Sequence, residues 1–118
     1  MKVSYPIIPV AKPRMTQSDK WRMRDCCRKY WDFKDQVEKH KITIPEQGAK
    51  ITFILPLPGS YSRKKKLALN GNAHQLRPDL SNLIKALEDA IFAEDSHIWN
   101  YGGLTKIWGY EGGIRIET

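Results

Sequence analysis

The stretch Arg77-Pro-Asp-Leu-Ser-Asn-Leu-Ile-Lys-Ala-Leu-Glu-Asp-Ala-Ile91 decides the fold, because it specifies a helix with two chemically distinct faces. Pro78 suits the first turn of a helix, and Asp79 beside it places a carboxylate where the helix dipole favours negative charge. Apolar residues at helical spacing form one sector for a core, namely Leu80, Leu83, Ile84, Leu87 and Ile91. Polar residues share the opposite side, with Asp79 at its edge; they are Asn82, Lys85 and Asp89.

The length and charge of the chain restrict what this helix can serve. With 118 residues, the chain is long enough for one compact domain with a modest core, and we predict a single domain over residues 1–118. The formal net charge of +7 predicts a polyanionic partner. Carboxylates gathered in such a protein are electrostatically out of place unless a cation lies among them. A hard divalent metal held against a phosphodiester satisfies both charges.

Two basic blocks carry much of the positive charge. One extends from Lys12 to Lys29 and includes Trp21, and the other is Arg63–Lys66. Either block alone is equally compatible with a solvated charged face, but both together in so short a chain favour nucleic acid. The residues expected to contact it are Lys12, Arg14, Lys20, Arg22, Arg24, Arg63, Lys64, Lys65, Lys66 and Arg77.

The length of the apolar runs and the number of cysteines limit where the protein can be located and what its cysteines can do. No apolar run approaches the roughly 20 residues that a membrane span requires. The N-terminus has prolines at positions 6 and 9 and no small-residue cleavage site, so we expect a cytoplasmic protein without membrane contact. Cys26 and Cys27 are adjacent, which disfavours a disulfide between them, and they are too few for a zinc site. We expect small, partly buried side chains there.

The remaining patterns predict an α+β fold, with a mixed β-sheet and helices packed on it. The first helix is indicated by the stripe Cys26, Tyr30, Phe33 and Val37, and should end near His40. Residues 60–73 suggest a short helix or a loop, and Gly102-Gly103 a break or a bulge. Strands are predicted at residues 2–9, 50–55, 97–101, 104–110 and 114–117.

The order Arg77-Pro-Asp-Leu, Asn82-Leu, Lys85, Asp89-Ala, then Glu94-Asp95-Ser, is similar to the RusA family of Holliday junction resolvases. The resemblance covers residues 74–101 well and extends more loosely to the N-terminal strand, the basic loop and the total length. It implies a RusA-like homodimer that cuts four-way and related branched DNA in recombination and repair. It also implies Mg²⁺ as the cofactor, with Mn²⁺ as an alternative. Two symmetric cuts give dimerisation a physical motive, because one chain supplies one site.

The resemblance also implies roles for individual residues. The expected catalytic residues are Asp79, Asn82, Lys85 and Asp95. The expected metal-binding residues are Asp79, Ser81, Asp89, Glu94 and Asp95. The family motif usually reads Asp-Leu-Asp-Asn-Leu-x-Lys, so Ser81 replaces its second aspartate and removes one negative charge. Glu94 or Asp89 is expected to supply that charge.

Simpler interpretations of the same residues remain open. Asp79 also fits a helix N-terminus, Asp89 fits an ion pair with Lys85 one turn away, and Glu94-Asp95 fits a surface turn. His74 is more typical of a polar or partly buried histidine than of a general base. The alternative function is a non-catalytic junction-binding or DNA-binding protein with a degraded metal site. An RNA-binding accessory protein lacks any recognisable RNA motif.

Overall fold

The computed structural model describes residues 1–13, 25–92 and 97–118, without the side chains of residues 25 and 26. Seven elements occur in this part of the chain. In chain order they are β1 (Lys2–Tyr5), α1 (Asp25–Lys39), β2 (Ala49–Pro56), α2 (Arg63–Leu69), α3 (Leu80–Ile91), β3 (Tyr101–Gly109) and β4 (Gly113–Glu117). None of the helices in these ranges combines the length and apolar character that crossing a membrane requires.

The four strands form one sheet in the order β1-β4-β2-β3. β2 is parallel to β3, whereas β4 is antiparallel to both β1 and β2. The predicted mixed sheet within an α+β fold is therefore confirmed. The parallel pair requires a long crossover, and α2 and α3 both lie in the chain between β2 and β3.

One face of the sheet forms the core with α1 and α3. Alternate residues of β2 are buried there, as period-two side-chain alternation requires; they are Ala49, Ile51, Phe53 and Leu55. The helices contribute the apolar stripes expected from the sequence, namely Tyr30, Phe33, Val37, Leu83, Ile84 and Leu87. Each such apolar side chain contributes about 1.5–3 kcal/mol when fully buried. This packing fixes α3 against the sheet, and with it the polar side of α3.

The predicted break at Gly102-Gly103 is a β-bulge. Ala49 pairs with Tyr101 while Lys50 pairs with Gly103, so Gly102 is the extra residue. A Cβ at Gly102 would lie 2.7 Å from the carbonyl oxygen of Gly48, which explains the glycine. β3 begins at Tyr101 rather than at residue 97, because the amide of Trp99 instead bonds the carbonyl of Glu46 at 3.1 Å.

Two other boundaries differ from expectation. β1 ends at Tyr5, because Pro6 has no amide to donate and the amide of Ile7 turns back to the carbonyl of Tyr5 at 2.8 Å. Helix α3 begins at Leu80, with Asp79 in an extended conformation at the N-cap position. Pro78 therefore precedes the helix, after a cis peptide bond from Arg77, and does not form its first turn.

Candidate metal and nucleic-acid site at the start of α3

An open pocket of about 320 Å³ lies at the N-terminus of α3. It is lined by Arg77, Pro78, Asp79 and Asn82, four residues of the stretch that specified the helix. Arg77, Asp79 and Asn82 are exposed. The pocket therefore combines a guanidinium, a carboxylate and an amide that solvent reaches, which are groups able to meet a phosphate or a hydrated cation.

Asp79 is fixed by its backbone and not by its side chain. Its carbonyl accepts hydrogen bonds from the amides of Asn82 and Leu83, both at 3.1 Å. Its carboxylate makes no capping hydrogen bond, although an N-cap aspartate commonly does. The start of the helix thus fixes the backbone of Asp79, whereas its carboxylate is not used for capping and is available to a ligand.

Asp89 lies among cations on the polar side of α3. Its carboxylate pairs with the ammonium of Lys12 at 2.5 Å and with that of Lys85 at 3.8 Å. It also bonds the hydroxyl of Tyr30 in α1. Burial, then the negative charge of Asp89 and this hydrogen bond, raise the pKa of Tyr30 to about 12. The i,i+4 pair with Lys85 is the simpler alternative for Asp89, and these contacts give its expected metal role no support.

Lys12 was expected to contact phosphate, but its ammonium turns inward to Asp89. Its backbone amide also donates to the carbonyl of Asn82 at 3.2 Å. Both contacts tie the N-terminal segment to α3. The phosphate role of Lys12 therefore competes with an ion pair inside the protein.

The other predicted metal ligands divide between exposed positions and undescribed ones. Ser81 is exposed in the first turn of α3, and the side chain of Lys85 is 48% exposed. Glu94 and Asp95 lie outside the described residues. Within residues 1–13, 27–92 and 97–118, no three His, Cys, Asp or Glu side chains form a group able to hold a metal.

The second basic block forms most of α2. Arg63, Lys64 and Lys65 are exposed, and no residue of α2 is buried. The helix starts at Ser62, whose hydroxyl accepts a hydrogen bond from the amide of Lys65 at 3.2 Å. The ammonium of Lys65 lies 3.8 Å from the ring centroid of Tyr61. The remaining predicted nucleic-acid contacts, Arg14, Lys20, Arg22 and Arg24, fall outside the described ranges.

Sequence reasoning did not single out Lys106, and it gave His74 less burial than the structure shows. The ammonium of Lys106 donates hydrogen bonds to the carbonyls of Leu76 and Pro78. The signal for it in the sequence is weak: a single lysine within a largely apolar strand. His74 is only 6% exposed, and its ring centroid lies 4.0 Å from that of Trp108. Burial first, and the charge of Lys106 second, lower the pKa of His74. A buried histidine with a lowered pKa fits the structural alternative.

Comparison with models of known protein families gives one match, which covers nearly the whole chain. The sequence model of endodeoxyribonuclease RusA matches residues 5–118. The chain belongs to the RusA family. No curated protein and no solved structure matched it in the corresponding comparisons. The family match extends well beyond residues 74–101, and membership implies endonuclease activity on DNA of the Holliday junction resolvase kind.

Proposed function

We propose that this RusA family member is a Mg²⁺-dependent endonuclease that cuts four-way and related branched DNA as a homodimer. The observation that carries the proposal is the pocket at the start of α3. There a carboxylate without a capping bond, Asp79, shares an open surface with Asn82 and Arg77. A protein of net charge +7 brings a DNA phosphate to this surface by its overall field.

The residues fit a magnesium ion in part. Mg²⁺ prefers one or two carboxylates together with waters and phosphate oxygens, and Asp79 and Asn82 offer oxygen donors of this kind. The proposed set adds Asp95 and Glu94, which lie outside the described residues. Since Asp89 is engaged by lysines, Glu94 is the proposed source of the charge that Ser81 does not supply. A bound Mg²⁺ would stabilise charge on the phosphodiester oxygens and make a bound water more acidic.

The chain's own side chains have separate tasks in this proposal. Lys85 lies six positions after Asp79, on α3. In this proposal it neutralises charge on the scissile phosphate. Asp89 restrains Lys85 by pairing with it. Arg77, exposed at the pocket, contacts a neighbouring phosphate, for which its planar guanidinium is well suited. The exposed cations of α2 bind the backbone of a duplex arm.

A non-catalytic junction binder is the second candidate. It is favoured by Ser81, and by the fact that the described residues lining the pocket include one carboxylate, that of Asp79. The deciding experiment compares a synthetic four-way junction with linear duplex over a series of Mg²⁺ and Mn²⁺ concentrations. Metal-dependent, symmetric nicks in the junction alone support the resolvase. Tight junction binding without nicks at any metal concentration supports the binder.

A further inference from the structure

Lys106 directs its charge at the segment that leads into the pocket. Its ammonium donates to the carbonyl of Leu76 at 2.6 Å and to that of Pro78 at 2.7 Å. Its parallel neighbour in β2, Phe53, is fully buried, so Lys106 leaves the sheet on the core side. Lys106 is partly buried, and the two backbone carbonyls give its ammonium hydrogen-bond partners within the protein.

The same segment is also bonded to β3 through the backbone. The amide of His74 donates to the carbonyl of Lys106 at 2.9 Å, and the amide of Gly71 donates to the carbonyl of Trp108 at 2.8 Å. The amide of Trp108 in turn donates to the carbonyl of Asn72 at 3.0 Å. After His74, the side chain of Lys106 makes the contacts to this segment, through the carbonyls of Leu76 and Pro78. Lys106 therefore holds the segment at three residues: its backbone carbonyl binds His74, before Gln75, and its side chain binds Leu76 and Pro78, after Gln75.

Asp79 follows Pro78 directly, and on its other side its carbonyl is held by the first turn of α3. We propose that Lys106 is a positioning residue for the active site. By fixing residues 76–78, it sets where the Asp79 carboxylate lies in the pocket. This inference rests on the proposed role of Asp79 as a metal ligand. Groups that orient a ligand typically change metal affinity or activity by about 10–100-fold when they are removed.

The first test measures the segment without any reaction. Lys106→Met removes the donors and keeps the aliphatic stem, and Lys106→Arg restores donors. Lys50→Met is the control, at an exposed lysine of the neighbouring strand β2. Hydrogen–deuterium exchange of residues 74–82 is followed in the metal-free protein. We expect faster exchange in Lys106→Met only, with Lys106→Arg closer to the wild type. Unchanged exchange in Lys106→Met overturns the inference. If Lys106→Met does not fold, Lys106→Gln replaces it in both tests.

The second test uses cleavage of a four-way junction over a range of Mg²⁺ concentrations. Lys106→Met should need about 10–100 times more Mg²⁺ for half-maximal rate. Junction affinity in Ca²⁺ should stay unchanged, and Lys106→Arg should recover much of the loss. An unchanged Mg²⁺ requirement overturns the positioning role, and a loss that follows junction affinity identifies a phosphate contact instead. An inert wild type refutes the proposed function, and the exchange result then decides by itself whether Lys106 holds the segment.

Discussion

At the scale of single residues, Asp79 separates two roles that an N-cap aspartate often combines. Its backbone starts α3, whereas its carboxylate makes no capping hydrogen bond. Asp79→Asn should therefore lower the free energy of unfolding by no more than about 0.3–1 kcal/mol, which is the contribution of a carboxylate to the helix dipole at an exposed N-terminus. Cleavage should fall by roughly 10²-fold or more, as when one electrostatic stabiliser is lost from an active site. Junction cleavage, binding and thermal unfolding of the same preparation measure the three effects.

Asp35→Asn is the matched control, because it neutralises an exposed aspartate on α1 that is not among the residues lining the pocket. It should cleave like the wild type. Full cleavage by Asp79→Asn would remove Asp79 from the site. Loss of both stability and activity would instead show that the carboxylate supports the fold.

Ser81 lies in the first turn of α3, where the structure has no acidic side chain. Ser81→Asp should add about 0.3–1 kcal/mol to the free energy of unfolding at low salt, because a carboxylate there suits the helix dipole. If Glu94 already supplies the missing charge, the Mg²⁺ requirement for cleavage should change by less than about tenfold. Ser81→Asn separates charge from size. An inactive native chain that Ser81→Asp activates would support the binder and exclude compensation.

Tyr30 links α1 to Asp89 and predicts a specific alkaline response. Its pKa rises from 10 to about 12 in the folded protein, through burial first and Asp89 second. Between these values the folded chain keeps a proton that the unfolded chain has lost. The free energy of unfolding should therefore fall as pH rises from about 10 to 12, with the contribution fully present below pH 10.

Urea unfolding at several pH values from 9 to 12 measures this response. Tyr30→Phe should flatten the decline, whereas Tyr110→Phe, at an exposed tyrosine, should follow the wild type. Parallel pH profiles for Tyr30→Phe and wild type would contradict the raised pKa of Tyr30 in the folded protein.

At the scale of secondary-structure elements, α2 is the helix whose charged side chains can be replaced without disturbing the hydrophobic core. It buries no residue, so replacing Arg63–Lys66 with alanine should barely change stability. Junction affinity should weaken and depend less steeply on salt, since each neutralised phosphate contributes about 0.9 to the log–log slope. Binding from low to moderate salt measures it. The control replaces four exposed lysines elsewhere, Lys2, Lys39, Lys41 and Lys50. If both variants show the same salt dependence of junction affinity, the charge of α2 serves solubility and does not contact DNA in particular.

Elements with a strong period were predictable, and their irregular ends were not. The stripe of α1 and the apolar sector of α3 specify burial directly. β3 begins at Tyr101, next to the bulge at Gly102, so Trp99 lies before the strand and is 70% exposed, whereas Trp108 within the strand is buried. Likewise, Pro78 favours a helix start by type, but Lys106 holds its carbonyl in the segment before the helix.

At the scale of the whole molecule, the contacts that define the site join distant parts of the chain. Lys12 and Asp89 are 77 positions apart, and Lys106 is 28 positions from Pro78. Residue types and local spacing identified Asp79, Asn82 and Lys85 as polar neighbours on one helix. Local spacing also allowed the ion pair of Asp89 with Lys85, but it could not show that Lys12 pairs with Asp89 as well, because that depends on how the N-terminal segment packs on α3.

Dimerisation gives the last prediction, because paired cuts need two sites at one junction. A supercoiled plasmid with an inverted repeat extrudes a cruciform, whose base is a four-way junction. The first cut releases the supercoiling that maintains the cruciform. A homodimer that cuts twice before this relaxation should yield linear plasmid, whereas a single site should yield nicked circles. A plasmid without the repeat should stay intact.

Mixing subunits tests whether both sites belong to one assembly. Excess Asp79→Asn chain, allowed to exchange with the wild type, should convert linear product into nicked circles, since a mixed dimer holds one competent site. Excess Asp35→Asn chain should leave the product linear. If the wild type itself gives only nicked circles, or light scattering on the junction-bound protein finds one subunit per junction, paired cleavage by a dimer is excluded. The pocket at α3 would then act as a single nicking site.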